Sequence, residues 1–123
     1  MDNIINDLKN VDLLIVEDGQ DIRDIMYSTL HKIFKNTRTA IDGVDGLVKF
    51  NDKQPDIVLS DIRMPNMSGN DMIEEMKRIN PDIPIIVITG HGRLMKKNIN
   101  ADLILEKPIK FNRLVEEIHN LVQ

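Results

Sequence analysis

Short, nearly continuous apolar runs alternate along this chain with longer stretches in which apolar residues recur at helical spacing. Val11-Asp12-Leu13-Leu14-Ile15-Val16 has the make-up of a strand covered on both faces. From Gln20 to Phe34, the residues Ile22, Ile25, Met26, Thr29, Leu30 and Ile33 fall on one side of a predicted helix, which should be its buried side. Residues 37–41 predict a weaker strand. Asp42-Gly43 turns it into a helix carrying Val44, Leu47, Val48 and Phe50, and Pro55 leads into a third strand over 56–60. Residues 68–79 predict a helix with Met72, Ile73, Met76 and Ile79 inward, closed by Asn80-Pro81-Asp82. A fourth strand is expected over 84–89, a short helix over 91–98, a fifth strand over 102–105 and a last helix over 110–122. Five successive βα units imply a doubly wound α/β domain, a parallel sheet with helices on both faces, filling residues 1–123 as a single domain. Residues 1–10 read as a polar N-terminal extension.

The remaining composition narrows the possible functions. With 41% hydrophobic and 29% charged residues, 123 residues can bury one core. The net charge of -4, without a basic run, argues against a nucleic-acid surface. The absence of cysteine removes disulfides and thiolate metal sites and is compatible with a reducing cytoplasm. MDNIINDLKN is too polar for a signal peptide, and no apolar run approaches the roughly 18 residues of a membrane span. A cytoplasmic location away from membranes is therefore expected.

In open parallel sheets, ligands bind beyond the carboxyl ends of the strands. The predicted strands end there on Glu17-Asp18, Asp61, Thr89 and Glu106-Lys107-Pro108. Taken singly, a carboxylate after a strand is most often a solvated turn or cap residue, Thr89 a β-branched strand residue and Lys107 a surface side chain. Their convergence on one rim reverses that reading. Clustered carboxylates repel one another unless a cation offsets them, and an oxygen-only donor set favours a hard ion, Mg²⁺ before Zn²⁺. A carboxylate so placed can attack phosphorus once a metal and an ammonium neutralise the phosphoryl oxygens. The chain has no Gly-rich phosphate loop, so a small donor or a phosphorylated partner fits better than a bound nucleotide.

The ordered set Glu17-Asp18, Asp61 with Met64-Pro65 and Gly69, Thr89, and Lys107-Pro108 resembles the receiver domain of two-component response regulators, of the chemotaxis-regulator kind, over residues 11–122. The resemblance implies a flavodoxin-like sheet in the order 2-1-3-4-5. It implies Asp61 as phosphoacceptor, Asp18 as a direct Mg²⁺ ligand beside Asp61, Glu17 acting on the metal through water, and the Arg63 backbone carbonyl completing the protein ligands. Thr89 would hydrogen-bond the phosphoryl group and Lys107 would pair with it. The implied partners are a sensor histidine kinase as donor and a downstream output protein or effector domain, with homodimer formation left open. The domain would catalyse only its own phosphorylation and dephosphorylation and would not be an enzyme in the usual sense.

Other features stand beside that pattern. Met64, Met67, Met72 and Met76 read as packing residues, His31, His91 and His119 as surface residues, Gly43 and Gly46 as backbone geometry, and Lys107-Pro108 as a candidate cis bond, as is common in the family. Ile104 stands at the switch position, three before Lys107, where the family usually has an aromatic. Lys107 follows Thr89 by 18 positions, short of the family's spacing by about one helical turn. The expectation is therefore a short or shifted fourth helix, and an output that works by reorienting residues 90–102 with Gly90 and Gly92 as hinges. The last helix, FNRLVEEIHNLVQ, lacks the basic pattern of receivers that dimerise above winged-helix DNA-binding domains. Two alternatives stay open: a receiver-like interaction module independent of phosphorylation, and a Mg²⁺-dependent phosphohydrolase with an Asp nucleophile, disfavoured because Arg63 puts no acid two positions after Asp61.

Overall fold

The computed structural model describes residues 2–90 and 99–123. The elements run α1 (Asp2–Leu8), β1 (Asp12–Val16), α2 (Gln20–Leu30), β2 (Asn36–Ala40), α3 (Gly43–Asp52), β3 (Ile57–Ser60), α4 (Gly69–Ile79), β4 (Ile85–Thr89), β5 (Leu103–Glu106) and α5 (Phe111–Val122). All five strands are parallel, in the order β2-β1-β3-β4-β5 that the receiver resemblance implied. The helix expected over 91–98, and with it His91 and the Gly92 hinge, lies outside the described residues. Among the described residues no helix is long and apolar enough to cross a membrane.

The aliphatic runs account for the layers. Side chains alternate across each strand, so Leu13, Ile15, Ile57, Leu59, Ile86, Ile88 and Leu105 enter one core with Leu30 of α2 and Leu114, Val115 and Ile118 of α5. Leu14, Val16, Val58, Ile85 and Val87 enter the other with Phe50 of α3 and Met72, Ile73 and Met76 of α4. Met64 and Met67 pack half-buried against that second core, as packing residues should. Asp42 caps α3 by accepting the Asp45 N–H at 2.8 Å, and Ser68 caps α4 by accepting the Asp71 N–H at 3.1 Å.

Several expectations need correction. The second helix stops at Leu30, where the His31 ring Nδ1 lies 2.9 Å from the Tyr27 carbonyl oxygen. The chain then turns, and Ile33 and Phe34 are buried from outside the helix. Ile22 and Ile25, expected inward, are exposed, as are Val44 and Val48. Burial in α3 falls on Gly43, Gly46 and Phe50 because the helix lies so close to its neighbours that a Cβ on Gly46 would come within 2.7 Å of Met72 Sδ. The fifth strand starts one residue later than expected, Asp102 using its side chain to close the strand's base.

Residues 1–10 are not merely a polar extension. Residues 2–8 form α1, Leu8 is fully buried in the core shared by α2 and α5, and Ile4 and Ile5 pack against it. Asp7 Oδ2 lies 2.8 Å from His119 Nε2 on α5, so His119 is largely covered and is not the surface residue expected. Leu8→Ala should therefore cost about 2–5 kcal/mol, within the range of a buried leucine truncation. Chemical denaturation measures it, and a change below 1 kcal/mol would show that α1 is not part of the core.

Candidate functional site

The central strands β1 and β3 place the acids. Pairing continues one residue past each strand, Glu17 N–H donating to Ala40 O of β2 at 3.0 Å and Asp61 N–H to Val16 O of β1 at 3.1 Å. On the outer side, Lys107 N–H donates to Thr89 O at 2.8 Å. Backbone bonds thus carry Glu17, Asp61, Thr89 and Lys107 to one rim. The peptide bond between Lys107 and Pro108 is cis.

Glu17, Asp18 and Asp61 each offer a carboxylate oxygen, all within 4.8 Å of one another. Asp61 Oδ1 accepts the Ile62 N–H at 2.6 Å, and Lys107 Nζ donates to Oδ2 at 3.3 Å. The same ammonium lies 3.6 Å from Glu17 Oε1, while Glu17 Oε2 accepts the Gly19 N–H at 3.0 Å. Glu17 is 4% exposed. Burial pushes its carboxyl above the ordinary glutamate range, a hydrogen bond with Asp18 and the charge of Asp61 adding to the effect and the Gly19 N–H and Lys107 opposing it. Among the described residues, one ammonium against three carboxylates leaves negative charge over, and the donor set is oxygen alone. Such a cluster fits a hard divalent cation such as Mg²⁺.

Of the other expected site residues, Thr89 is fully buried at the end of β4, opposite Glu106 in register. Arg63 is exposed, its N–H a long 3.4 Å from Asp61 Oδ1. Ile104 is 41% exposed on β5, opposite Val87 in register.

The structure adds Arg23 and Asn66, which the sequence did not single out. Arg23, on the first turns of α2, donates to the Glu17 carbonyl at 3.0 Å and so holds the turn that carries Asp18. Asn66, at φ 69°, donates to Asp42 Oδ2 at 2.7 Å and pins the loop after Asp61. The Asp45 and Asn66 hydrogen bonds together hold Asp42 below the usual carboxylate range. A Cβ on Gly69 would lie 2.5 Å from the Asp61 carbonyl oxygen, so α4 starts directly against the backbone of Asp61. The asparagine after Pro65 was the available signal for the left-handed turn. The partners 24 positions away were not readable. A cavity of about 450 Å³ opens beside Asp61 and Lys107, walled by Ile22, Ile25, Met26, Ile109 and Phe111. The exposed half of α2 is its near wall.

The raised Glu17 carboxyl has a stability consequence. Folded protein holds that proton more tightly than unfolded protein, so its contribution is present below the ordinary glutamate pKa and lost as pH rises through the folded value. In metal-free protein, Glu17→Gln should stabilise by about 1 kcal/mol at pH ~7, and the gain should vanish as the pH falls toward about 4. Melting temperatures in chelator across that range check it. A variant less stable than wild type at neutral pH would contradict the strain.

Comparison with known proteins agrees with this geometry. Residues 13–119 match the family described as the response regulator receiver domain. The response regulator SaeR of Staphylococcus aureus is 34% identical over 114 residues, which are 89% of this chain and 50% of that protein. The luminescence regulatory protein LuxO of Vibrio campbellii is 28% identical over 89% of this chain and 25% of its own length. The chain thus spans a quarter to a half of these curated relatives. Among solved structures, the receiver domain of NtrX from Brucella abortus superposes with a TM-score of 0.81 at 32% identity, covering 90% of this chain and 98% of that one. The response regulator TrrA from Thermotoga maritima, solved with Mg²⁺ and a beryllium fluoride, gives 0.80 at 28% identity, covering 89% of this chain and 96% of that one. By sequence family and by fold, the chain belongs to the response regulator receiver domains.

Proposed function

We propose that this domain accepts a phosphoryl group on Asp61 from the phosphohistidine of a sensor kinase and signals through the resulting change of state. The observation that carries the reading is the placement of Asp61 between two kinds of charge. Its Oδ2 faces Lys107 at 3.3 Å, and its carboxylate shares a 4.8 Å cluster with Glu17 and Asp18.

In the transfer, an Asp61 oxygen forms a bond to phosphorus, the bond from phosphorus to the donor nitrogen breaks, and the imidazole leaves with its electron pair. Asp61 is oriented for this by the Ile62 N–H on Oδ1, which leaves Oδ2 toward Lys107. Lys107 supplies positive charge for the phosphoryl oxygens, and Thr89 a hydroxyl from the end of β4. Asp18 and Asp61 would hold Mg²⁺ directly, with the Arg63 carbonyl completing the protein ligands and Glu17 acting through water. The bound ion would neutralise charge on the phosphoryl oxygens. Ile22, Ile25 and Phe111 give a donor protein an apolar wall to rest on beside the acceptor. Ile104 offers no aromatic side chain to swing, so the signal would leave by other residues. The domain acts on itself alone, in the cytoplasm, and passes its state to an output protein or effector domain.

Asp61→Asn should fold and lose all labelling by acetyl phosphate in Mg²⁺, read as a hydroxylamine-labile adduct by intact-mass spectrometry. A labile adduct on the variant would sink the assignment. Asp18→Asn should weaken Mg²⁺ binding about tenfold and Glu17→Gln less, as a direct ligand outranks an indirect one.

Ile25, 66% exposed, separates the donor from the chemistry. Ile25→Glu should slow transfer from a phosphorylated histidine kinase domain about tenfold, the effect of losing one well-packed contact, and leave labelling by acetyl phosphate unchanged. Equal loss with both donors would place Ile25 in the chemistry and not on the docking wall.

A further inference from the structure

At the far end of the sheet from Asp61 lies a charge that the transfer does not use. Lys77 on α4 is 9% exposed, and its ammonium donates to the Ile83 carbonyl at 2.5 Å and to Asp102 Oδ2 at 2.8 Å. The same Asp102 oxygen accepts the Ile85 N–H at 2.7 Å, and the Asp102 N–H donates back to Ile85 O at 2.9 Å. A buried ammonium is costly unless fully paired, and an unbranched apolar side chain would fill the same space among Met72, Ile73 and Met76. The charge therefore specifies a geometry that packing alone would leave loose.

That geometry is the register of β5. The strand has four residues and, among the described residues, pairs with β4 alone, and only Leu105 of the four is fully buried. Such a strand has little apolar burial to fix its alignment, and a slip of one residue exchanges its two faces. A slip would bring Glu106 or Pro108 to the place of Lys107, setting a carboxylate or no charge against Asp61. Asp102 prevents it at the base by occupying both the N–H and the carbonyl of Ile85. Lys77 in turn fixes Asp102 to α4. The first residue of that helix, Gly69, abuts the Asp61 carbonyl, and Lys77 follows eight residues on, about 12 Å along a rigid axis.

We propose that Lys77 and Asp102 are a positioning pair, which holds β5 in register so that Lys107 meets the Asp61 carboxylate. The role rests on the reading of Asp61 as phosphoacceptor. It predicts a dissociation that general destabilisation would not produce. Glu17, Asp18 and Asp61 directly follow β1 and β3, so the metal-binding acids should be untouched while the lysine is displaced.

The test uses Lys77→Met and Asp102→Asn, the latter keeping an acceptor for the Ile85 N–H. Each should slow acetyl-phosphate labelling of Asp61 about tenfold or more at saturating Mg²⁺, with Mg²⁺ affinity within about twofold of wild type. In metal-free protein, amide resonances of Glu106 and Lys107 should move and those of Val16 and Ser60 stay. The double variant should be no slower than the worse single one. If Lys77→Met fails to fold, Asp102→Asn alone decides. Labelling within twofold of wild type, or a loss matched by an equal loss of Mg²⁺ affinity, overturns the proposal. Should wild type accept no phosphoryl group, the phosphoacceptor reading fails. The resonances of Glu106 and Lys107 then decide the positioning role by themselves.

Discussion

Three carboxylates with oxygens inside 4.8 Å repel one another, and a chain free to move would separate them. What holds them are the ladders of β1 with β2 and of β1 with β3, carried past the strand ends by the bonds of Glu17 to Ala40 and of Asp61 to Val16. Strands β1 and β3 are fixed because both their faces are buried, Leu13 and Ile15 on one side, Leu14 and Val16 on the other. The repulsion at the rim is thus sustained by apolar burial beneath it. This is why a domain with an ordinary aliphatic core can keep an acidic site in readiness.

Around that cluster the loops are held by polar contacts. Asp42 serves two loops at once, capping α3 with one oxygen and holding Asn66 with the other. Arg23 clasps the carbonyl of Glu17 from α2, and Gly69 lets α4 begin against Asp61 itself. The acceptor is therefore rigid on three sides and open on the fourth, where the apolar wall of Ile22, Ile25 and Phe111 stands.

Legibility in the sequence followed the range of the interaction. Runs such as Leu13-Leu14-Ile15-Val16 announce doubly covered strands because their reason is local and repetitive, and the acids at their ends follow from parallel topology. The face of α2 was misjudged because helical spacing shows that Ile22 and Ile25 share a side without showing that nothing covers that side. Leu8 and Lys77 escaped notice, and His119 was misread as a surface residue, for a different reason. Each is explained by a partner distant in sequence, and a single leucine, histidine or lysine carries no mark of such a partner. The cluster at the rim was readable because four separate strand ends agreed.

The packing of α1 against α5 joins the beginning of the chain to its end, Asp7 meeting His119 across 112 positions. On a ribosome adding about 5–20 residues each second, α5 is made on the order of ten seconds after α1. During that interval Ile4, Ile5 and Leu8 lack the Leu114, Val115 and Ile118 side of their core. The nascent chain must therefore carry α1 without that side of its core until α5 is made. The sheet can assemble strand by strand, but the domain closes only when its last helix is made.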